Sequence, residues 1–135
     1  MIAIDTNVLL RYLLQDNEAQ ARRATALIQG GTLVLMTDIV LVETLWTLKG
    51  KKYRAGKQAL VDAIESLLQE PTLTFEDDET VWQALQDYRQ TNADFPDALI
   101  ARKAAYLAHS KGERYSGTYT FDSRALALPG TKEVR

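Results

Sequence analysis

The stretch MIAIDTNVLL (residues 1–10) contains the pattern that decides the fold. Its apolar residues 2–4 predict a short buried strand, and residues 7–14 have the spacing of a helix. Between them stand Asp5, Thr6 and Asn7, each a suitable N-cap for that helix. Aspartate is depleted in strands and is rarely buried without a partner. Asp5 is therefore either a simple helix cap or part of a functional site.

The same alternation of strand and helix continues along the chain. Further strands are predicted at residues 32–36, 73–75 and 119–121, and the C-terminal tail is a candidate edge strand. Further helices are predicted at residues 17–29, 38–49, 55–70, 76–91 and 96–111, with a short one near Ala125. Such alternation predicts an α/β fold with a central parallel sheet flanked by helices.

Composition favours a single domain over residues 1–135. Of these residues, 46% are hydrophobic, enough for one core, and no linker-like segment divides them. The chain has no cysteine, which excludes disulfides, thiolate zinc sites and cysteine nucleophiles. No segment approaches the roughly 18 apolar residues of a membrane helix, and no signal peptide is readable. We expect a cytoplasmic protein without membrane association.

The charge balance limits how the protein would bind nucleic acid. Its net charge is −2, so it lacks a strong overall basic footprint. One basic segment, KGKKYRAGK (residues 49–57), contains no acid and is predicted at a turn between two helices. It carries Lys49, Lys51, Lys52 and Arg54. Two interpretations stay open: a solvated turn, or a phosphate-binding surface with a tyrosine available for base stacking.

Two acids directly follow predicted strands. Asp5 follows residues 2–4, and Asp122 follows residues 119–121. In parallel α/β sheets, ligands bind beyond the carboxyl ends of the strands. Thr120 lies on the same side of its strand as Asp122, so its hydroxyl is placed to orient a water or a carboxylate. The alternative role of Asp122 is to cap a short helix.

A third acid, Glu43, lies in DIVLVETLWTLKG (residues 38–50). This helix is apolar almost all round, which predicts burial. A lone ionised glutamate there would cost several kcal/mol or become neutral, unless a cation lay nearby. The alternatives are a pair with a buried arginine and a position at the edge of the core.

Two further acids lie in NADFPDALIA (residues 92–101). Asp94 and Asp97 are three residues apart, and Pro96 suits a first helical turn. Asp94 is a candidate N-cap, and Asp97 would be favoured at the positive end of the helix dipole. The apolar residues that follow place this helix start against the core, so Asp97 is expected to point inward or across a cleft.

Electrostatic repulsion limits what four acids at such positions can do. Two carboxylates about 4 Å apart cost each other roughly 4 kcal/mol at an effective dielectric near 20. Four together need a counterion, and all-oxygen ligands suit Mg²⁺ or Mn²⁺. Such ions can activate water and stabilise both oxygens of a phosphoryl displacement. The only histidine, His109, excludes a two-histidine ribonuclease mechanism.

These motifs together resemble a known family. IAIDTNVLLRYL, the glutamate in VLVETLW, DFPDALIA and the late TFD resemble PIN domains and, within that family, VapC-type toxins of bacterial toxin–antitoxin pairs. The resemblance extends from Asp5 to Asp122. It implies a compact α/β sandwich, Mg²⁺- or Mn²⁺-dependent cleavage of RNA, a homodimer, and inhibition by a small cognate antitoxin.

The resemblance also implies roles for individual residues. The acids of the family pattern, which bind metal and carry the catalysis, match Asp5, Glu43, Asp97 and Asp122. Positions that support the site match Thr6, Asp94 and Thr120. Two other functions stay open: a non-catalytic PIN-like scaffold that binds RNA or protein, and a metal-dependent phosphohydrolase of small molecules.

Overall fold

The computed structural model describes residues 1–135, which form two compact units, residues 1–77 and residues 78–135. The predicted α/β fold with a parallel sheet is confirmed, with six α-helices along the chain. The expectation of a single domain stays a prediction. The longest helix has 16 residues, and no helix is long and apolar enough to cross a membrane.

The first unit contains a three-stranded parallel sheet in the order β1–β2–β3. The strands are β1 (Ile2–Ala3), β2 (Val34–Leu35) and β3 (Leu73–Thr74). In the register, Val34 lies between Ile2 and Leu73. The helices of this unit are α1 (Thr6–Leu14), α2 (Glu18–Ile28), α3 (Asp38–Lys49) and α4 (Lys57–Gln69). Because β1 leads into α1 and β2 into α3, both helices begin at the same edge of the sheet.

Local side-chain chemistry sets where these helices begin. Asn17 accepts a hydrogen bond from the Gln20 backbone N–H at 3.1 Å and so caps α2. Thr37 caps α3, accepting from the Val40 N–H at 3.5 Å. These polar residues satisfy backbone donors that have no partner inside the helix. The predicted boundaries of the helices agree with the structure to within about two residues because capping depends on local sequence.

Helix α3 is not buried all round, and this part of the prediction was wrong. Leu41 and Leu45 lie on its buried face, whereas Ile39 is 71% exposed and Trp46 is 64% exposed. Glu43 lies on the exposed face with them. An apolar sequence shows that a face can be buried, but only the neighbouring elements decide which face is covered. The predicted desolvation cost therefore does not apply to Glu43.

The second unit is built on a helical hairpin and a small sheet. Helices α5 (Asp78–Gln90) and α6 (Phe95–Ser110) pack against each other, and the rings of Tyr88 and Phe95 meet edge to face at 6.0 Å. Strands β4 (Thr118–Thr120) and β5 (Thr131–Glu133) pair in parallel, which confirms a strand in the C-terminal tail. The strand predicted at 119–121 ends one residue earlier than expected. A short 3₁₀ helix, Ala125–Ala127, lies between β4 and β5.

An ion pair joins the two helices of the hairpin. The Arg102 Nε and Nη2 donate to the two carboxylate oxygens of Asp87 at 2.6 and 2.9 Å. The side chain of Asp87 is only 8% exposed, while that of Arg102 is 32% exposed. The hydrogen bond with Asp87 raises the pKa of the Arg102 guanidinium. Removal of the arginine would leave a buried carboxylate without its partner.

We predict that Arg102→Met destabilises the protein by about 3 kcal/mol, because an uncompensated buried charge is costly. The measurement is urea unfolding at pH 7, compared with the parent protein. Arg114→Met is the control, since Arg114 is exposed and its loss should change stability by no more than about 0.5 kcal/mol. Equal stability of the two variants would contradict a structural role for the ion pair.

Candidate active site

Asp5, the first predicted site residue, is the N-cap of α1. Its Oδ1 accepts a hydrogen bond from the Val8 backbone N–H at 3.0 Å, and its backbone is extended. The capping role is thus filled by Asp5, not by Thr6 or Asn7. Asp5 is exposed, and its Oδ2 accepts no hydrogen bond. Capping therefore occupies one carboxylate oxygen and leaves the other for a ligand, so the two interpretations of Asp5 are compatible.

Thr6 connects the start of α1 to Glu43 on α3. The Thr6 Oγ1 donates a hydrogen bond to the Glu43 Oε1 at 2.8 Å, across 37 residues of sequence. The contact follows from the parallel pairing of β1 with β2, which brings the starts of α1 and α3 to one sheet edge. Thr6 thereby restrains the orientation of an otherwise exposed carboxylate. Asp5, Thr6 and Glu43 are called the N-terminal group below.

The second unit holds three more predicted site residues, Asp94, Asp97 and Asp122. Asp94 is the N-cap residue of α6, as the sequence predicts, and its backbone carbonyl accepts from the Ala98 N–H at 3.1 Å, but its side chain makes no capping hydrogen bond. Asp97 lies in the first turn of α6. Asp122 follows β4, and its backbone N–H donates to the Thr120 Oγ1 at 2.9 Å. Thr120 thus supports the turn that presents Asp122.

Arg124 is a member of this region that the sequence interpretation missed. Its backbone N–H donates to the Asp122 Oδ1 at 2.9 Å. Its guanidinium lies 3.8 Å from the Asp94 Oδ2 and 4.0 Å from the Asp122 Oδ1. The side chain is 58% exposed, so these long ion pairs are weak. The segment TFDSR places this cation two residues after Asp122, which was the available sequence signal.

The acids of the second unit affect one another electrostatically. Burial raises the pKa of Asp97, and the negative charges of Asp122 and Asp94 raise it further, whereas Arg124 lowers it. The positive charge of Arg124 therefore does not fully offset the repulsion. Asp94, Asp97, Asp122 and Arg124 are called the C-terminal group below.

The donor atoms of both groups suit a hard cation. Apart from Arg124, whose guanidinium cannot bind a cation, the side chains of the two groups offer carboxylate and hydroxyl oxygens, which are the ligands typical of Mg²⁺ and Mn²⁺. The raised pKa of Asp97 is the effect that an added positive charge would reverse. Neither unit by itself gathers three or more histidine and acidic side chains that could hold a metal ion. That Asp5, Glu43, Asp97 and Asp122 share one site stays a prediction.

The first unit also contains a groove between α1 and α2. It has a volume of about 390 Å³, and its lining includes Arg11, Arg23 and Leu27. None of the predicted acids lines it. The groove is therefore distinct from the N-terminal group, although Asn7, which also lines it, follows Asp5 by two residues in sequence.

Comparison with known families gives a match over almost the whole chain. The PIN domain model matches residues 2–124. The chain belongs to the PIN domain family. PIN domains are generally metal-dependent nucleases, which supports a hydrolase of the nuclease kind. A search of curated proteins finds no match.

We predict that Asp5→Ala destabilises the protein by about 1 kcal/mol, because it removes the N-cap of α1. Asp5→Asn should leave stability nearly unchanged, since asparagine caps as well as aspartate. Thermal and urea unfolding measure the difference. Asn17→Ala, which removes the cap of α2, is the matched control and should show a similar loss. Equal stability of the alanine and asparagine variants at position 5 would contradict the capping role.

We predict that Asp97→Asn stabilises the metal-free protein at pH 7 by roughly 0.5 kcal/mol, because it removes a carboxylate whose charged form is disfavoured by burial and by the charges of Asp122 and Asp94. Since the pKa of Asp97 is raised in the folded state, the stability that this carboxyl contributes is complete below its unfolded value of about 3.9. That contribution is lost as the pH rises through the raised folded pKa. The advantage of the asparagine variant should therefore grow over this window.

Urea unfolding in EDTA, repeated from about pH 3 to pH 7, measures this dependence. Asp16→Asn is a control, because Asp16 forms an ion pair with Arg11 and lies outside the acidic groups. A variant at position 97 that is less stable than the parent at pH 7 would show that Asp97 has a structural role that outweighs the repulsion.

Proposed function

We propose that the protein is a divalent-metal-dependent ribonuclease that hydrolyses RNA phosphodiester bonds. The observation that carries the proposal is the hydrogen bond from Thr6 to Glu43, which orients one exposed carboxylate beside the strand end that presents Asp5. A solvent-accessible carboxylate that is held by a hydrogen bond from the residue directly after Asp5 suits ligand binding better than fold stability. Membership of the PIN family supports the same activity.

In this proposal the carboxylates of Asp5, Glu43, Asp97 and Asp122 hold Mg²⁺ or Mn²⁺. A bound divalent cation lowers the pKa of a water and stabilises charge on the oxygens of the phosphoryl group. Thr6 keeps the Glu43 carboxylate in one orientation, and Thr120 keeps the turn before Asp122 in place. Asp97, whose pKa is raised by its neighbours, is favoured in its ionised form once positive charge is bound.

The reaction proposed is attack of water on phosphorus in line with the bond to the 3′ oxygen. A carboxylate of the site accepts the proton of the attacking water. The bond from phosphorus to the 3′ oxygen breaks, which leaves a 5′-phosphate and a 3′-hydroxyl. The acidic side chains repel phosphate, so the positively charged side chains that would position the RNA lie elsewhere on the protein.

We further propose that the protein is a VapC-type toxin, a homodimer inhibited by a cognate antitoxin. The order and spacing of its four acidic motifs support this assignment. The acids would attract an arginine or lysine of the antitoxin, much as Arg124 already contacts Asp94 and Asp122. The test is an Arg→Ala scan of a small protein encoded immediately upstream, with RNA cleavage as the readout.

We predict that the purified protein cleaves mixed single-stranded RNA in the presence of Mg²⁺ or Mn²⁺, and that cleavage stops when EDTA is added. Asp5→Asn, which keeps the helix cap, should lower the cleavage rate at least about 100-fold, because it removes a charged metal ligand. Gel electrophoresis and analysis of the new RNA ends measure the products. Phosphomonoesters are the control substrates and should not be hydrolysed.

Two results would contradict the ribonuclease. Retained RNA binding without metal-dependent cleavage would indicate the non-catalytic scaffold. Metal-dependent hydrolysis of phosphomonoesters without RNA cleavage would indicate a small-molecule phosphohydrolase.

We predict that Thr6→Val lowers kcat roughly 10-fold, because residues that orient metal ligands typically contribute about 10- to 100-fold to activity or metal affinity. The concentration of Mn²⁺ needed for half-maximal activity should rise as well. Thr6→Ser retains the hydroxyl and is the matched control, expected to keep most of the activity. Equal activity of the valine and serine variants would exclude a positioning role for this hydroxyl.

A further inference from the structure

Trp46 is exposed on the same face of α3 as Glu43. It follows Glu43 by three residues, a spacing at which helical side chains are neighbours, and it is 64% exposed. Ile39, one turn before Glu43, is 71% exposed. Large apolar side chains that remain in contact with water around a functional carboxylate are typical of binding surfaces. An indole in this position is suited to stack on a nucleic-acid base.

The turn that follows α3 concentrates positive charge. Lys51, Lys52 and Arg54 are exposed there, and residues 49–57 contain five basic residues and no acid, in a chain of net charge −2. Two backbone hydrogen bonds of 2.8 Å close the turn, from the Arg54 N–H to the Gly50 carbonyl and from the Ala55 N–H to the Leu48 carbonyl. The cations are therefore presented on an ordered segment, and such a cluster attracts a polyanion.

Along α3, Trp46 lies between Glu43 and the basic turn that follows the helix. Glu43 and Trp46 share one face of α3, since they are three residues apart, and Gly50, the C-cap of α3, begins the basic turn four residues after Trp46. Seven residues of helix extend about 10 Å. A stacked nucleic-acid strand advances about 3.4 Å per nucleotide, so this length corresponds to about three nucleotides. A strand cleaved next to Glu43 would thus reach the basic turn within a few phosphates.

We infer that Trp46, Lys51, Lys52 and Arg54, here called the α3 surface, bind single-stranded RNA on one side of the scissile phosphate. Trp46 stacks on a base near Glu43, and the three cations contact phosphates farther along the strand. The positive charge of the turn favours RNA over a second protein chain, because the cations attract phosphate groups. An apolar protein partner on this face would, in addition, have to desolvate Glu43. The inference rests on the proposed function and specifies how its substrate is held.

The test measures binding of a labelled single-stranded RNA of about 12 nucleotides by full-length protein in the Asp5→Asn background. Trp46→Ala should weaken binding about 10-fold, and Trp46→Phe should retain most of it, because an aromatic face is kept. Trp82→Ala is the matched control, since Trp82 is an exposed tryptophan (47%) on α5. It should bind RNA like the parent.

The basic turn is tested with Lys51→Ala, Lys52→Ala and Arg54→Ala combined. Binding at 0.1 M salt should fall at least about 10-fold, and the slope of log affinity against log salt should become smaller by about two, as three lost phosphate contacts on a single strand predict. A matched control removes three other exposed cations, Lys111, Arg114 and Arg135, to alanine. This control should bind within about twofold of the parent, because local and not net charge matters.

The outcomes separate the α3 surface from the nuclease itself. Unchanged RNA binding by the Trp46→Ala and triple variants would overturn the inference. If these variants also changed the oligomeric state of the protein, the face would be assigned to contact with a second copy of the chain. Cleavage is assayed in parallel with Asp5 intact. Failure of the parent to cleave RNA, together with the expected losses of binding, would overturn the nuclease and support the α3 surface. Normal cleavage and binding by every variant would overturn the α3 surface alone.

Discussion

The parallel pairing of β1 with β2 is the constraint on which the candidate site of the first unit depends. Because the two strands run in the same direction, the helices that follow them start at the same sheet edge. Thr6 and Glu43, 37 residues apart in sequence, then meet through a hydrogen bond of 2.8 Å. A shift of register by one residue would turn every side chain of β1 to the opposite face and move the start of α1 with it. The pairing of two short strands thus determines where the helices that carry these side chains begin.

Electrostatic repulsion between carboxylates is the main feature of the second unit. In the second unit, burial and the charges of Asp122 and Asp94 all favour the neutral form of Asp97, and the nearby Arg124 offsets only part of this effect. A fold selected for stability alone gains nothing from such an arrangement. Sites that bind cations do require it, because the same charges that repel one another in the free protein attract the ion. The electrostatic cost is thus an indication of function within a protein of the nuclease kind.

Helix α3 shows how one element serves both the core and a surface. Leu41 and Leu45 pack inward, while Ile39 and Trp46 remain exposed on either side of Glu43. Composition alone does not distinguish these two faces, since apolar residues occur on both. A role of α3 in the core alone does not explain why this second face is both apolar and exposed. The basic turn follows directly after Lys49 at the end of the same helix.

The order of helices and strands was determined by the sequence itself. Periodicity, the capping residues Asn17 and Thr37, and the turn signals act over a few residues, so the boundaries of the elements could be predicted closely. The motifs around the acids likewise identified the family that the residues 2–124 match. Local patterns of this kind do not depend on how distant segments are arranged.

Tertiary structure alone decided which residues meet and which faces are covered. The contact of Thr6 with Glu43, the place of Arg124 among the acids and the exposure of Glu43 all depend on residues distant in sequence or on the path of a loop. Asp5 is the clearest case. Its sequence position allowed a cap or a ligand as alternatives, whereas the structure shows that one carboxylate oxygen caps α1 and the other remains accessible. Sequence specifies which side chains are present. How many oxygens of a carboxylate stay free of hydrogen bonds, and which residues surround it, is decided only when the chain has folded.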